Sequence, residues 1–335
     1  MDPFEYDPTF PTGQLDNADP SPNEYFEKNQ TLFQNEMYIL QKVAISLYSI
    51  IFIFGLFGNG LVIWIAGFRM KKTISTVWFL HLAIADFLCC LSIPLLIALW
   101  ANLSKTPSMV LVHVLFEMLL IITISSSVLL LTAISIDRWL LVMWPFWTKI
   151  HRTQKLVRIV VAIIWVTSLI STGSVYYLYV YHVDIITNYN TAWRIHLVRL
   201  LIMFVIPFLI IVACYVTIFL KLRKSNRPQR SQRPYRIITA VILCFFICWA
   251  PYYAWPLSPK YYIYNVQSQI IITLIISLAY LNSCINPIIY VFMGQDFRHG
   301  FLKSIPFRIK EAISVQPDVQ CQEQDDGDPA PTTDF

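Results

Sequence analysis

Along the chain, apolar residues gather into seven long runs, at about 39–68, 73–100, 109–142, 157–181, 195–222, 236–257 and 266–293. A helix needs roughly 20 apolar residues to cross a hydrocarbon core of about 30 Å, and every run meets that length. Residues 43–68, 200–220 and 237–258 carry no formal charge, and the last run is uncharged from Tyr261 through Gln295. Backbone groups in hydrocarbon find no water and must pair within their own segment, so each run is predicted to be a helix. Pro94, Pro207, Pro251 and Pro287 lie inside runs. Each removes an amide donor and is expected to bend its helix.

The same pattern divides the chain into four regions. Residues 1–36 hold eight acidic side chains and one lysine, are rich in Pro, Asn and Asp, and are expected to be disordered. Residues 37–293 hold the seven runs. Over 294–305, Phe297, Phe301, Leu302 and Ile305 alternate with Arg298, His299 and Lys303. That is the pattern of a short amphipathic helix lying on a membrane face. Residues 306–335 form an acidic tail, also expected to be disordered. The predicted fold is an all-α membrane protein, a seven-transmembrane helix bundle with a short amphipathic eighth helix.

Composition agrees. The 335 residues are 56% hydrophobic and 13% charged, about half the charge of a soluble domain. The formal net charge of +5 does not point to nucleic acid, because the basic residues are scattered over short loops. Their sidedness is informative. One set of loops carries Arg69, Lys71 and Lys72, then Lys149, Arg152, Lys155 and Arg158, then seven cations between Lys221 and Arg236; the opposite set carries Lys105, Arg194 and Lys260. Positive loops mark the cytoplasm, so the N-terminus is expected outside and the C-terminus inside. The sequons at Asn29 and Asn102 then lie outside, as glycosylation candidates. Tyr6 and Tyr25 have acidic neighbours and are candidates for sulfation. Of seven cysteines, six lie in apolar runs and Cys321 lies in the tail. No metal spacing and no extracellular disulfide pair is apparent.

Polar groups inside the runs are costly and tend to face the bundle interior. Asp86 lies mid-run in the second, Glu117 in the outer half of the third, Asp137-Arg138 at its inner end, and Arg199 in the outer half of the fifth. Asn59, Asn282 and Asn286 add uncharged groups that either glue helices together or serve an ion site around Asp86. No catalytic constellation emerges, and the chain is read as non-enzymatic. The last run has no lysine for a retinal Schiff base. The odd number of unmatched runs argues against a transporter built from repeats.

Several motifs occur in order: Gly58-Asn59; Leu82 to Asp86; Asp137-Arg138-Trp139; Trp165; Pro207 and Tyr215; Cys248-Trp249-Ala250-Pro251; and Asn286-Pro287-Ile288-Ile289-Tyr290. Together they resemble class A, rhodopsin-like G-protein-coupled receptors over about residues 40–305. The stretches Gly58 to Met70, Trp78 to Leu82 and Asn282 to Pro287 resemble the chemoattractant subgroup, the formyl-peptide, complement anaphylatoxin and chemerin receptors.

The resemblance implies a plasma-membrane receptor for an extracellular peptide, small protein or lipid. It would activate heterotrimeric G proteins, expected to be of the inhibitory type. Arg138 resembles the arginine that pairs with its neighbour Asp137 at rest and, on activation, swings toward Tyr215 and the G protein; Tyr290 belongs to the same switch. Asp86, Ser127, Asn282, Ser283 and Asn286 match the family's sodium pocket, with Na+ as an allosteric ion and no other cofactor. Trp249 resembles the toggle at the pocket floor. Arg199 suits a carboxylate or formyl oxygen through a bidentate contact, with Tyr252 and Glu117 as pocket partners. A non-signalling scavenger or decoy of the same fold is the alternative.

The match breaks in the outer half. His113 stands where most relatives place the third-helix cysteine of an extracellular disulfide, and residues 182–194 contain no cysteine. Ile121 stands where formyl-peptide receptors place an Asp. The tail hydroxyls Ser304, Ser314, Thr332 and Thr333 are few, so arrestin recruitment by phosphorylation is expected to be weak.

Overall fold

A computed structural model describes residues 22–101, 107–181, 189–224, 233–262 and 265–293. Among these, ten α-helices form the chain: α1 (Pro22–Trp64), α2 (Ile74–Leu91), α3 (Ile93–Ala101), α4 (Pro107–Met143), α5 (Pro145–His151), α6 (Gln154–Tyr181), α7 (Tyr189–Leu200), α8 (Ile206–Lys224), α9 (Arg233–Ala254) and α10 (Val266–Met293). Seven stretches are long and apolar enough to cross a membrane, at 27–69, 74–101, 109–143, 154–174, 190–221, 239–257 and 266–288. They coincide with the seven runs. The expected amphipathic helix at 294–305 and the tail lie outside the described residues.

α1 starts earlier than expected. It spans 43 residues, about 65 Å at 1.5 Å per residue, and it takes in residues 22–36 of the segment expected to be disordered. The physical reason is local. Pro22 suits the first helical turn, Glu27 lies near the positive end of the helix dipole, and residues 23–36 contain no Pro or Gly. The Thr31 hydroxyl donates to the Glu27 carbonyl at 2.8 Å.

The prolines act in different ways. In the second span the helix breaks at Ser92, just before Pro94, and the Ser92 hydroxyl donates to the Cys89 carbonyl at 2.7 Å. In the fifth, Pro207 has no N–H to give the carbonyl four residues back, and the chain widens into a π-helical turn over Leu201–Val205. Pro251 and Pro287 remain inside continuous helices.

The third span is the most buried and packs against the second, fourth and fifth, while the first packs against the second and seventh. Polar side chains tie these neighbours together. Asn59 Nδ2 donates to the Ser283 carbonyl at 2.8 Å, and the Tyr280 and Ser92 hydroxyls share a 2.5 Å bond. Trp165 Nε1 donates to His81 Nδ1 at 3.4 Å. At Gly55 the first span comes so close that a Cβ would run into Cys90 Sγ. The apolar residues left exposed, such as Ile159, Ile163, Val166 and Ile170 of α6, follow a helical stripe, as expected where the surrounding solvent is hydrocarbon.

Candidate functional site

A cavity of about 560 Å³ opens at the end of the bundle where α4 begins. That volume lies within the usual range for a ligand site. Its walls come from α4, α6, α7, α9 and α10 and are mostly apolar, with Glu117 and Arg199 as the formally charged members. Arg199 Nη2 donates to the Tyr252 hydroxyl at 3.1 Å. The guanidinium carbon lies 5.4 Å from the Tyr252 ring centre and 5.5 Å from that of Tyr253. Two aromatic faces thus hold the cation in an apolar surround. A guanidinium carries five donors in a planar fork, so the bond to Tyr252 leaves capacity for an anion.

Glu117, Arg199 and Tyr252 therefore share one cavity, but the fourth pocket residue expected from sequence does not. Trp249 is 2% exposed and is not part of the cavity wall. It sits behind Tyr252, whose ring meets it edge-on at 5.5 Å. The residue just after Pro251 occupies the floor, and one turn of helix carries Trp249 a layer deeper. Ile121 lines the same cavity. His113 lines its mouth, and the six described cysteines are all free thiols.

Below lies a polar cluster. Asp86, Ser127, Asn282, Ser283 and Asn286 are all buried. Ser283 Oγ donates to Asp86 Oδ1 at 3.1 Å, and Asn286 Nδ2 donates to Asp86 Oδ2 at 2.7 Å. Asn286 thereby commits its nitrogen, and its oxygen finds no hydrogen-bond partner; the oxygens of Asn59 and Asn282 are likewise buried without one. A buried carboxylate beside the unpaired amide oxygen of Asn286 belongs to the oxygen donors a hard cation takes, so these residues fit sodium.

At the other end of α4, Asp137 takes a partner that the loop supplies. A hydrogen-bonded partner of Asp137 is Arg152, in the turn between α5 and α6, with Nε to Oδ1 at 2.7 Å and Nη2 to Oδ2 at 2.9 Å. Arg138 donates from Nη2 to Ser75 Oγ at 2.8 Å. Arg138 follows Asp137 directly, and neighbours on a helix point about 100° apart, so the loop cation meets the carboxylate head-on. Tyr215 has a buried hydroxyl in α8. The side chain of Tyr290 and the sequon at Asn102 lie outside the described residues, whereas Asn29 is exposed on α1.

Sequence reasoning missed three contributors. Arg152 was counted only as a loop charge, and Tyr253 was overshadowed by its neighbour. His196, which lines the cavity and meets the Tyr261 ring at 5.9 Å, carried no signal except its position three residues before Arg199.

Comparison with known proteins agrees with this arrangement. Residues 58–290 match the family model described as 7 transmembrane receptor (rhodopsin family). The chain is 35% identical over 298 residues to the C5a anaphylatoxin chemotactic receptor 1 of Oncorhynchus mykiss, covering 82% of this chain and 85% of that one. It is 36% identical over 306 residues to the formyl peptide receptor 2 of Mus musculus, covering 83% and 86%. It is 37% identical over 313 residues to the chemerin-like receptor 1 of Sus scrofa, covering 82% and 83%. With seven spans, an interior carboxylate cluster and a model match over most of its length, the chain is a member of the rhodopsin family of seven-transmembrane receptors.

Proposed function

We propose that this receptor binds an extracellular chemoattractant-type ligand, a peptide, small protein or lipid, and activates heterotrimeric G proteins of the inhibitory type. The observation that carries the reading is Arg199, a guanidinium in the wall of an apolar cavity, braced by Tyr252 and Tyr253. A desolvated cation of this kind recognises a carboxylate such as a peptide C-terminus or a fatty-acid head. Glu117 adds the opposite charge in the same wall. The chemoattractant receptors among its relatives support the ligand class. The loop charges support an N-terminus outside the cell and a C-terminus inside.

Transduction would run from the cavity through Trp249, which meets the Tyr252 ring edge-on, to the Asp86 cluster and on to Arg138. Sodium held by Asp86, Ser283, Asn286 and neighbouring oxygens would neutralise the carboxylate and favour the resting packing. Arrestin is a further intracellular partner, and Asn29 is the glycosylation site the structure leaves exposed.

The test is a G-protein activation assay in cells expressing the full chain, comparing wild type with Arg138→Ala and Arg199→Ala across chemoattractant peptides and lipids. Ligand-dependent activation in wild type and its loss in both variants is the expected result. Ligand uptake with no G-protein response would make the protein a scavenger and overturn the signalling role.

A further inference from the structure

The cavity that holds Arg199 is open along one side as well as at its end. On the fifth span, Phe204 meets the rings of Phe246 and Tyr253 at 5.0 and 5.2 Å, and Phe208 meets Phe246 at 4.7 Å. That edge is closed against the sixth span. Ile202 lies two residues from Phe204, within the π-helical turn, and so points to nearly the opposite side. Ile202 and Val198, one turn apart, both line the cavity, and each is 52% exposed. A wall residue covered by a neighbouring helix would be mostly buried.

The neighbour on this edge is the fourth span, and it does not close the wall. α6 packs on α4 and, to a smaller extent, on α2, and makes no comparable contact with α7, the π-helical turn or α8 among the described residues. Ser171, Thr172 and Tyr176 of α6 nevertheless line the same cavity. A Cβ added at Gly173, one turn before Tyr176, would meet nothing within 4 Å. Tyr176 is itself exposed. The two spans thus face each other across a gap that leads from the cavity to the surface. Its rim continues into exposed Leu169 and Ile170 on α6 and into exposed Leu201 and Ile206 on the fifth span. Such apolar faces turn to hydrocarbon in a membrane.

We infer that the gap between the fourth and fifth spans admits a membrane-dissolved long-chain carboxylic acid, whose head binds Arg199 and whose chain lies along the apolar wall toward the gap. The inference rests on the reading of Arg199 as a carboxylate site and names the ligand class for it. A long alkyl chain concentrates its bearer in the bilayer rather than in water, and the gap joins the bilayer to the cavity. The head meets a guanidinium that keeps donors free beside its bond to Tyr252, in the geometry that suits a carboxylate. The chain meets Ile195, Val198, Ile202 and Met203, apolar members of the wall. A peptide C-terminus gains nothing from an opening onto hydrocarbon, because its backbone amides would lose water there without finding partners.

The experiment uses the full-length protein in phosphatidylcholine nanodiscs with a palmitic acid analogue that carries a diazirine in mid-chain, followed by irradiation and peptide mapping. The expected label falls on residues 171–176 and 195–203. Palmitic acid should displace it, and palmitic acid methyl ester, which keeps the chain and loses the charge, should do so about tenfold less well. Arg199→Gln should reduce labelling by about the same factor. Val198→Trp and Ile202→Trp place bulk in the gap and leave Arg199 intact; each should slow labelling about tenfold, with gel filtration verifying the fold. The wild-type label map decides the point even where a variant fails to fold. Equal displacement by acid and ester would overturn the carboxylate reading itself. Displacement that needs the charge, with the label outside both segments or its rate unchanged in both tryptophan variants, would leave that reading standing and overturn entry between the two spans. The absence of displaceable label in wild type would overturn the ligand class. None of these readouts involves a G protein, so they stand apart from the signalling role.

Discussion

Asp137 of the third span and Arg152 of the turn before the fourth form a two-pronged ion pair, with bonds of 2.7 and 2.9 Å. The pair is mostly sheltered, with side-chain exposures of 10% and 20%. It fastens the C-terminal end of α4 to the turn between α5 and α6. Arg138, the next residue, donates to Ser75. If the pair holds the resting arrangement, whatever weakens it favours the alternative.

Arg152→Ala is expected to raise ligand-independent nucleotide exchange on a reconstituted inhibitory-type G protein. Removing a charged hydrogen-bonded partner costs on the order of 1–3 kcal/mol, enough to shift a resting-to-active ratio about tenfold. Arg152→Lys, which cannot reproduce the two-pronged geometry, should fall between. Unchanged basal exchange in a well-folded Arg152→Ala receptor would reduce the pair to a structural tie.

In the cavity described, Tyr252→Phe removes the hydroxyl that receives Arg199 and keeps the ring. Affinity for a carboxylate-terminated ligand should fall about three- to tenfold, and Arg199→Lys should lose more, since an ammonium offers neither the fork nor its stacking. Competition binding with paired free-acid and amidated peptides provides the check. Equal affinity for acid and amide in wild type would remove the carboxylate from the recognition.

Asp86→Asn should abolish any effect of sodium on ligand binding. The carboxylate accepts from Ser283 and Asn286, and a neutral amide cannot supply the charge a cation needs. Agonist affinity measured in sodium chloride and in choline chloride should differ for wild type and coincide for the variant. A persisting sodium effect would put the ion elsewhere.

Gly55→Ala should destabilise the bundle by about 1–3 kcal/mol, because its methyl group would run into Cys90 Sγ, with Cys284 Sγ also close by. The double variant Gly55→Ala/Cys90→Ala should regain much of the loss. Thermal unfolding of the purified protein in detergent would record both changes. A Gly55→Ala protein as stable as wild type would mean that the Cys90 side chain simply rotates away.

Much of this protein is legible without coordinates. Seven apolar runs become seven helices because hydrocarbon leaves the backbone no other partner. The grouping of Asp86 with Ser283 and Asn286 follows from motifs at fixed spacing on two such helices. The start of α1 was less visible, since acidic composition masked a stretch with no helix breaker. Trp249 illustrates a further gap: that the cavity ends at Tyr252, one turn short of Trp249, depends on how the facing helices close around it.

The sequence by itself determined the number of spans, the sidedness of the loop charges, the polar residues that must face inward and the family these compose. Those properties are written in composition and helical period, which act locally. Only the tertiary structure decided which partner each inward group takes. Arg152 pairs with Asp137, and Tyr253 joins Tyr252 on Arg199. Such pairings depend on the rotation and closeness of helices far apart in the chain, fixed by packing details such as Gly55 against Cys90.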